Sequence, residues 1–304
     1  MDWLGYSPNS LTISSHMYVV VYIYTTMYKY VVRLASSYGF TMIGKQIRLE
    51  RIFDRKTSFA LVVPMDHGLS EGPLTGITDI REAIDKVSHG GATAIVMHKG
   101  LVPYGHRGYG RDVGLIVHIS ASTKLSPSPN TKVIVTDVEE GIQLGADGIS
   151  IHVNVGAEGD DAMLADAGRV VQKCRNWGMP LLAMMYPRGK DIRDQYDVEH
   201  LKHVARVGAE LGADVVKVNY TGSEDTFREV VKGCPAPVLI AGGPKLNSDI
   251  EVLKMVKGAM NSGARGISIG RNIWQHRDPT AMTAALASII FNGAEADEAV
   301  RLLG

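Results

Sequence analysis

Gly212-Ala213-Asp214-Val215-Val216-Lys217-Val218-Asn219-Tyr220 reads as a helix end, a turn and a buried strand. Glycine takes the left-handed conformation that commonly ends a helix, so a Gly-Ala pair is a plausible stop. The β-branched run that follows suits a short strand. Side chains alternate across a strand, which puts Val216 and Val218 on one face and Lys217 and Asn219 on the other. If the valines pack on helices, Lys217 points into a closed interior.

The same pair recurs at Gly91-Ala92, Gly145-Ala146 and Gly263-Ala264, each time just ahead of a β-branched run. From Phe59 onward such runs alternate with helical patterns, the signal of repeated βα units around a parallel sheet. The candidate strands are Phe59 to Asp66, Ala94 to His98, Leu115 to Ser120, Ile149 to Val155, Leu181 to Tyr186, Val215 to Tyr220, Val238 to Ala241 and Gly266 to Gly270. Eight strands over roughly 260 residues match a (β/α)8 TIM barrel, whereas a doubly wound sheet more often has fewer strands or a second domain. The Gly-Ala pairs fall before every even strand, as duplicated βαβα quarters would place them. Residues 42–304 are therefore expected to form one α/β barrel domain.

Alternation also assigns the inner face. It turns Ile116, His118 and Ser120 inward on strand three, Ser150, His152 and Asn154 on strand four, and Met184 with Tyr186 on strand five. In this fold the active site lies at the C-terminal strand ends, so polar groups gathered there point to chemistry.

With 304 residues, 32 basic against 32 acidic and 45% apolar content, the chain can bury a full core. Balanced charge gives no footprint for nucleic acid or an acidic membrane, which leaves small molecules or further copies of the chain as partners. The two cysteines, Cys174 and Cys234, support neither a disulfide framework nor a cysteine metal site, and a reducing cytoplasm fits best. Residues 1–41 stand apart. They hold seven of the twelve tyrosines and one acid, Asp2. Their apolar stretch Met17 to Val32 is broken by Thr25, Thr26 and Lys29 and lacks signal-peptide flanks. A disordered extension or a mis-assigned start, with Met42 as initiator, is expected rather than a membrane anchor.

Lys217 is the sharpest candidate. A lysine among valines in an enclosed strand loses hydration, and the neutral amine that results can attack a carbonyl. The alternative is a buried lysine paired with an acid such as Asp66. Carbon-carbon bond chemistry beside an imine also needs groups to take and give protons, and Asp66 and Tyr186 at strand ends suit that work. A loop or cap hydrogen bond for Asp66 and a core phenol for Tyr186 are the structural alternatives. Ala241-Gly242-Gly243-Pro244 and Ile269-Gly270-Arg271-Asn272 end strands seven and eight, where barrels commonly hold a phosphate. The basic loop Gly105 to Arg111 could cover an anionic substrate or simply be a surface loop. His67, His98, His118 and His152 fall near strand ends and could suggest a metal that polarises a carbonyl. No local pair has ligand spacing with an acid, and His200 and His203 lie on a helix expected to face solvent. Hydrogen bonding to substrate or within the interior accounts for the histidines, and no metal or other cofactor is expected.

Pro64-Met65-Asp66-His67-Gly68, His98-Lys99-Gly100, Gly105-His106-Arg107-Gly108-Tyr109-Gly110, His152-Val153-Asn154-Val155-Gly156, Met184-Met185-Tyr186-Pro187-Arg188-Gly189, Val216-Lys217 and Gly270-Arg271-Asn272 together resemble the archaeal class I aldolase family. The likeness runs from about residue 42 to the end and is strongest to the branch that performs a transaldol step on the route to 3-dehydroquinate. It implies that Lys217 forms an imine with 6-deoxy-5-ketofructose 1-phosphate, that hydroxypyruvaldehyde phosphate leaves, and that L-aspartate semialdehyde joins the remaining fragment. It further implies Asp66 as proton acceptor and Tyr186 as proton donor. Substrate contacts are implied for Asp66, His67, Gly68, Leu69 and Ser70, for Tyr186, Pro187 and Arg188, and for Lys217, Gly242, Gly243, Gly270 and Arg271. Ring-shaped homo-oligomers, often decamers, are usual in the family. The nearest rival within it is fructose-1,6-bisphosphate aldolase, which tends to carry tryptophan two positions before the tyrosine, where this chain has Met184. A phosphosugar-binding barrel without catalysis is the reading from another class.

Overall fold

The computed structural model describes residues 42–105 and 113–304. The expectations for residues 1–41, and for the basic loop from His106 to Arg111, lie outside the described residues. Among those described, no helix is long and apolar enough to cross a membrane.

Eight parallel strands close into a barrel. They are β1 (Ala60–Pro64), β2 (Ala94–His98), β3 (Gly114–His118), β4 (Gly148–Val155), β5 (Leu181–Pro187), β6 (Val215–Asn219), β7 (Val238–Ala241) and β8 (Gly266–Ser268). Neighbours pair in sequence order, and β8 returns to β1 with Leu61 opposite Ile267. The outer layer is α2 (Ile80–His89), α3 (Val138–Gln143), α4 (Asp160–Trp177), α5 (Val198–Leu211), α6 (Glu224–Gly233), α7 (Asp249–Asn261) and α8 (Pro279–Asn292), while α1 (Ile43–Ile52) precedes the first strand. Side-chain caps start four of them, from Asp79, Asp197, Ser223 and Asp278, each contributing about 1 kcal/mol.

All eight expected strands are present, and alternation sorts their side chains as the sequence indicated. Val216 and Val218 belong to the larger cluster between sheet and helices, whereas Ala60, Val62, Val96, Ile116, Leu182 and Met184 fill the barrel interior. Strand three ends earlier than expected, at His118. Ser120 and Ala121 instead pair antiparallel with Val133 and Ile134, so the chain leaves the barrel and returns over its mouth.

Each Gly of the four Gly-Ala pairs has a positive φ, between 80° and 104°. The residue that follows the pair ties the lower end of the barrel together. Asp147 accepts from the Leu115 amide and from Arg51 Nε at 2.6 Å; Asp214 accepts from the Leu181 amide and from Lys45 Nζ at 2.9 Å. Both cations come from α1, whose Ile52 packs into the lower interior beside Val62, Ile116 and Leu239. The chain thus closes the bottom with apolar and ionic contacts and leaves polar side chains for the top.

Candidate active site

At the top, Asp66, Tyr186 and Lys217 converge from three strands. Lys217 sits on β6 with 6% of its surface exposed, and its register partner on β5 is Met184. Tyr186 lies two residues further up β5, beside Asn154 of β4, and is also 6% exposed. No carboxylate among the described residues is within salt-bridge distance of Lys217, so the alternative of a buried Lys217–Asp66 ion pair is not what the structure shows. Asp66 follows β1 at the start of the short helix His67–Glu71, yet its side chain makes no capping hydrogen bond.

Tyr186 is held by its ring. His152 lies 4.9 Å away between centroids, and the Arg188 guanidinium sits 4.8 Å over the ring. The Tyr186 hydroxyl makes no hydrogen bond among the described residues. The histidines are wired sideways along the strands. His118 Nδ1 meets Ser150 Oγ at 2.8 Å, and His152 Nε2 meets Asn154 Oδ1 at 2.8 Å. His67 packs edge-on against Trp274, whose indole nitrogen donates to the Pro64 carbonyl at 3.0 Å. A Cβ on Gly270 would lie 2.6 Å from that carbonyl, so only glycine lets the last strand end approach β1.

Burial sets the protonation states. It pushes His118 down to about 3 and His152 well below the ordinary imidazole range, where Lys132 and Arg188 add repulsion. Burial alone would raise Asp66, but its neighbours His118, His67, Lys217 and His98 outweigh it and hold the carboxyl well below the usual range. The mouth therefore offers an ionised carboxylate, a free phenol and a lysine, in a ring of neutral imidazoles.

Seven buried side-chain polar atoms among the described residues lack a hydrogen-bond partner within the protein, and five belong to this mouth: Asp66 Oδ1 and His67 Nδ1, which face each other at 3.5 Å, with His98 Nδ1, Ser268 Oγ and Arg271 Nε. Buried polar atoms are nearly always paired, so their clustering marks where a polar ligand would sit. No three His, Cys, Asp or Glu side chains among the described residues converge as a metal site would need. His200 and His203 lie on α5, away from the mouth.

The loops after β7 and β8 are joined by a residue that alternation did not single out. Asn272, 3% exposed, donates to the Gly242 and Pro244 carbonyls at 2.9 and 3.1 Å and accepts from the Leu246 amide at 2.7 Å. Arg271 donates to the Gly243 carbonyl at 3.1 Å and lies 3.8 Å from Glu71. Gly242, Gly243, Gly270 and Arg271 are thus brought together. Gly68 and Ser70 lie on the short helix with His67, while Leu69 is exposed. Pro187 ends β5, and Arg188 follows it. Lys132 was also missed in the sequence, because it lies in a Ser- and Pro-rich connection with no strand or helix pattern.

This barrel, with a lysine, a phenol and a carboxylate at its C-terminal mouth, has the architecture of a lysine-dependent aldolase. The chain belongs to the DeoC/LacD aldolase family, whose profile matches residues 60–276. It is 41% identical over 266 residues to 2-amino-3,7-dideoxy-D-threo-hept-6-ulosonate synthase 1 of Archaeoglobus fulgidus, covering 87% of this chain and 98% of that one. It is 38% identical over 249 residues to 2-amino-4,5-dihydroxy-6-oxo-7-(phosphonooxy)heptanoate synthase of Streptomyces griseus, covering 82% and 91%. Among solved structures, an archaeal fructose-1,6-bisphosphate aldolase with its catalytic lysine bound to the carbinolamine intermediate superposes with a TM-score of 0.73 at 30% identity, covering 81% of this chain and 99% of that one.

Proposed function

We propose that this chain is a Schiff-base transaldolase that converts 6-deoxy-5-ketofructose 1-phosphate and L-aspartate semialdehyde to 2-amino-3,7-dideoxy-D-threo-hept-6-ulosonate. The observation that carries the reading is Lys217 facing the barrel interior without a carboxylate partner, between Tyr186 and an ionised Asp66. Its amine adds to the keto carbon, and Tyr186 gives a proton to the departing hydroxyl so that the imine forms with loss of water. Asp66 then takes the proton of the β-hydroxyl as the carbon-carbon bond breaks, and the bonding pair moves into the imine to give an enamine. Hydroxypyruvaldehyde phosphate leaves, the enamine adds to the aldehyde of the semialdehyde, and water releases the product. The loops carrying Gly243 and Arg271 hold the phosphate. The assembly is a ring-shaped homo-oligomer in the cytoplasm, a decamer by resemblance to the family.

Met184 supports this substrate over fructose 1,6-bisphosphate. It is the direct cross-strand neighbour of Lys217, so a flexible thioether there shapes the pocket at the reacting carbon. Borohydride added with the ketose phosphate should fix sugar to Lys217, read as a mass increase on its peptide. No increase would end the imine mechanism. Product analysis separates the neighbouring activities: turnover of fructose 1,6-bisphosphate alone, or a heptulosonate that keeps its phosphate, would replace the proposed substrate pair.

A further inference from the structure

His118 has no part in the chemistry above, yet it stands beside Asp66 at the same mouth. Its register partner on β4 is Ser150, which is fully buried, and its Nδ1 lies 2.8 Å from Ser150 Oγ. On its other flank is its partner on β2, His98, packed edge to face at 5.2 Å between ring centroids. The second nitrogen, Nε2, is turned to Asp66 and stops 3.8 Å from Oδ2. The charged and titratable groups that face His118 are Asp66, His98, Lys217 and Lys132.

A neutral imidazole carries one ring proton, and its surroundings decide which nitrogen holds it. On Nδ1, the proton would leave the Nε2 lone pair facing the Asp66 carboxylate. On Nε2, it puts an N–H there and frees Nδ1 to accept from the Ser150 hydroxyl, so the carboxylate and the hydroxyl select the same tautomer. At 3.8 Å the N–H and the carboxylate are too far apart to bond directly, but one hydroxyl oxygen can lie about 2.8 Å from both. A hydroxyl so placed receives a hydrogen bond on its oxygen and gives its proton to the acid.

We propose that His118, held as the Nε2–H tautomer by Ser150, donates a hydrogen bond to the reacting oxygen that Asp66 deprotonates. This rests on the Schiff-base reading and adds a second catalytic group at that oxygen. In cleavage the hydroxyl proton passes to Asp66, the carbon-carbon pair moves into the iminium, and the oxygen becomes the carbonyl oxygen of the departing aldehyde. Addition runs the same steps backwards on the acceptor: the π pair moves onto oxygen as the new carbon-carbon bond forms, and Asp66 returns its proton. In both directions negative charge gathers on that oxygen in the transition state, and a preformed neutral donor stabilises it without giving up its own proton. The departing and the incoming aldehyde use the one donor in turn, because both react at the carbon that carries this oxygen.

The test compares the unaltered chain with His118→Asn, His118→Gln and Ser150→Ala, using the ketose phosphate and L-aspartate semialdehyde. An asparagine amide ends near the position of Nδ1 and offers nothing to the reacting oxygen, so kcat should fall about 10²-fold. A glutamine amide reaches the position of Nε2 and restores a neutral donor, so kcat should return to within about tenfold of the unaltered value. Ser150→Ala loosens the tautomer and should lower kcat about tenfold, but no further when added to His118→Asn, because the hydroxyl acts through the ring. In every variant, KM for the ketose phosphate and borohydride trapping on Lys217 should stay within about twofold, since the imine forms through Lys217 and Tyr186. Equal kcat in His118→Asn and His118→Gln, or additive losses from Ser150→Ala, would overturn the proposal. So would trapping that falls in step with kcat, the outcome of a structural role. Absence of trapping in the unaltered chain would remove the imine reading and the role of His118 with it. Intact trapping with an undiminished kcat in His118→Asn would remove the role of His118 alone.

Discussion

Replacing Asn272 by alanine should separate the phosphate loops from the chemistry. The side chain makes three hydrogen bonds, two to carbonyls of the loop after β7 and one from its Leu246 amide, and it is almost wholly buried. At about 1 kcal/mol net for each bond, the deletion should cost about 3 kcal/mol. For a domain of this size that lowers Tm by about 6 °C in a thermal melt followed by circular dichroism. Freed from its tether, the Gly242-Gly243 turn no longer meets Arg271 in one geometry, so KM for the ketose phosphate should rise about tenfold. Asn272→Asp sharpens the reasoning. It keeps the acceptor for the Leu246 amide but aims a carboxylate at two carbonyl oxygens, and it adds negative charge near the phosphate. It should therefore bind the ketose phosphate less well than Asn272→Ala. A lowered Tm with unchanged KM would show that these loops do not hold the phosphate, and an unchanged Tm would refute the hydrogen-bond accounting itself.

Tyr186→Phe keeps the ring contacts with His152 and Arg188 but removes the free hydroxyl, so kcat should fall about 10²-fold with little change in KM; an unaltered kcat would exclude Tyr186 as proton donor. Burial pushes the Cys174 thiol up to about 12 and Cys234 to about 11, so iodoacetamide at pH 8 should label neither until the chain unfolds. Labelling of the native protein would contradict the packing of α4 and of the end of α6.

The barrel was legible because its two periodicities are simple. A period of two placed Lys217, His118, His152 and Tyr186 on the inner face, and the recurring Gly-Ala pair marked where strands begin. Strand length was less legible at β3, since Ser120 continues the apolar alternation while its backbone pairs with Ile134 rather than staying in the barrel. Side-chain tethers between loops carry no period at all. Asn272 looks like any loop asparagine until the β7 and β8 ends stand side by side. Lys132 is invisible for the same reason, because its loop reaches the mouth only through the Asn154–Asn130 contact. Long-range placement, which no local pattern encodes, separates the residues that were found from those that were not.

The electrostatics of the mouth suit the proposed reaction step by step. Asp66 is a buried carboxylate, and the nitrogen of Lys217 is among the neighbours that favour its charged form. In the proposed cycle that nitrogen becomes an iminium, which places a positive charge near the carboxylate while the substrate is attached. When the carbon-carbon bond breaks, the iminium becomes a neutral enamine, and in the same step Asp66 takes up a proton and becomes neutral. The pair begins at zero net charge and ends at zero, so no isolated ion is left in a poorly hydrated site. Isolated buried charge costs several kcal/mol or more, and a cleavage that avoids it has a lower barrier than one that leaves the carboxylate ionised beside a neutral enamine. An imidazolium at His118 would break this balance, and its displacement down to about 3 ensures that none is present at neutral pH.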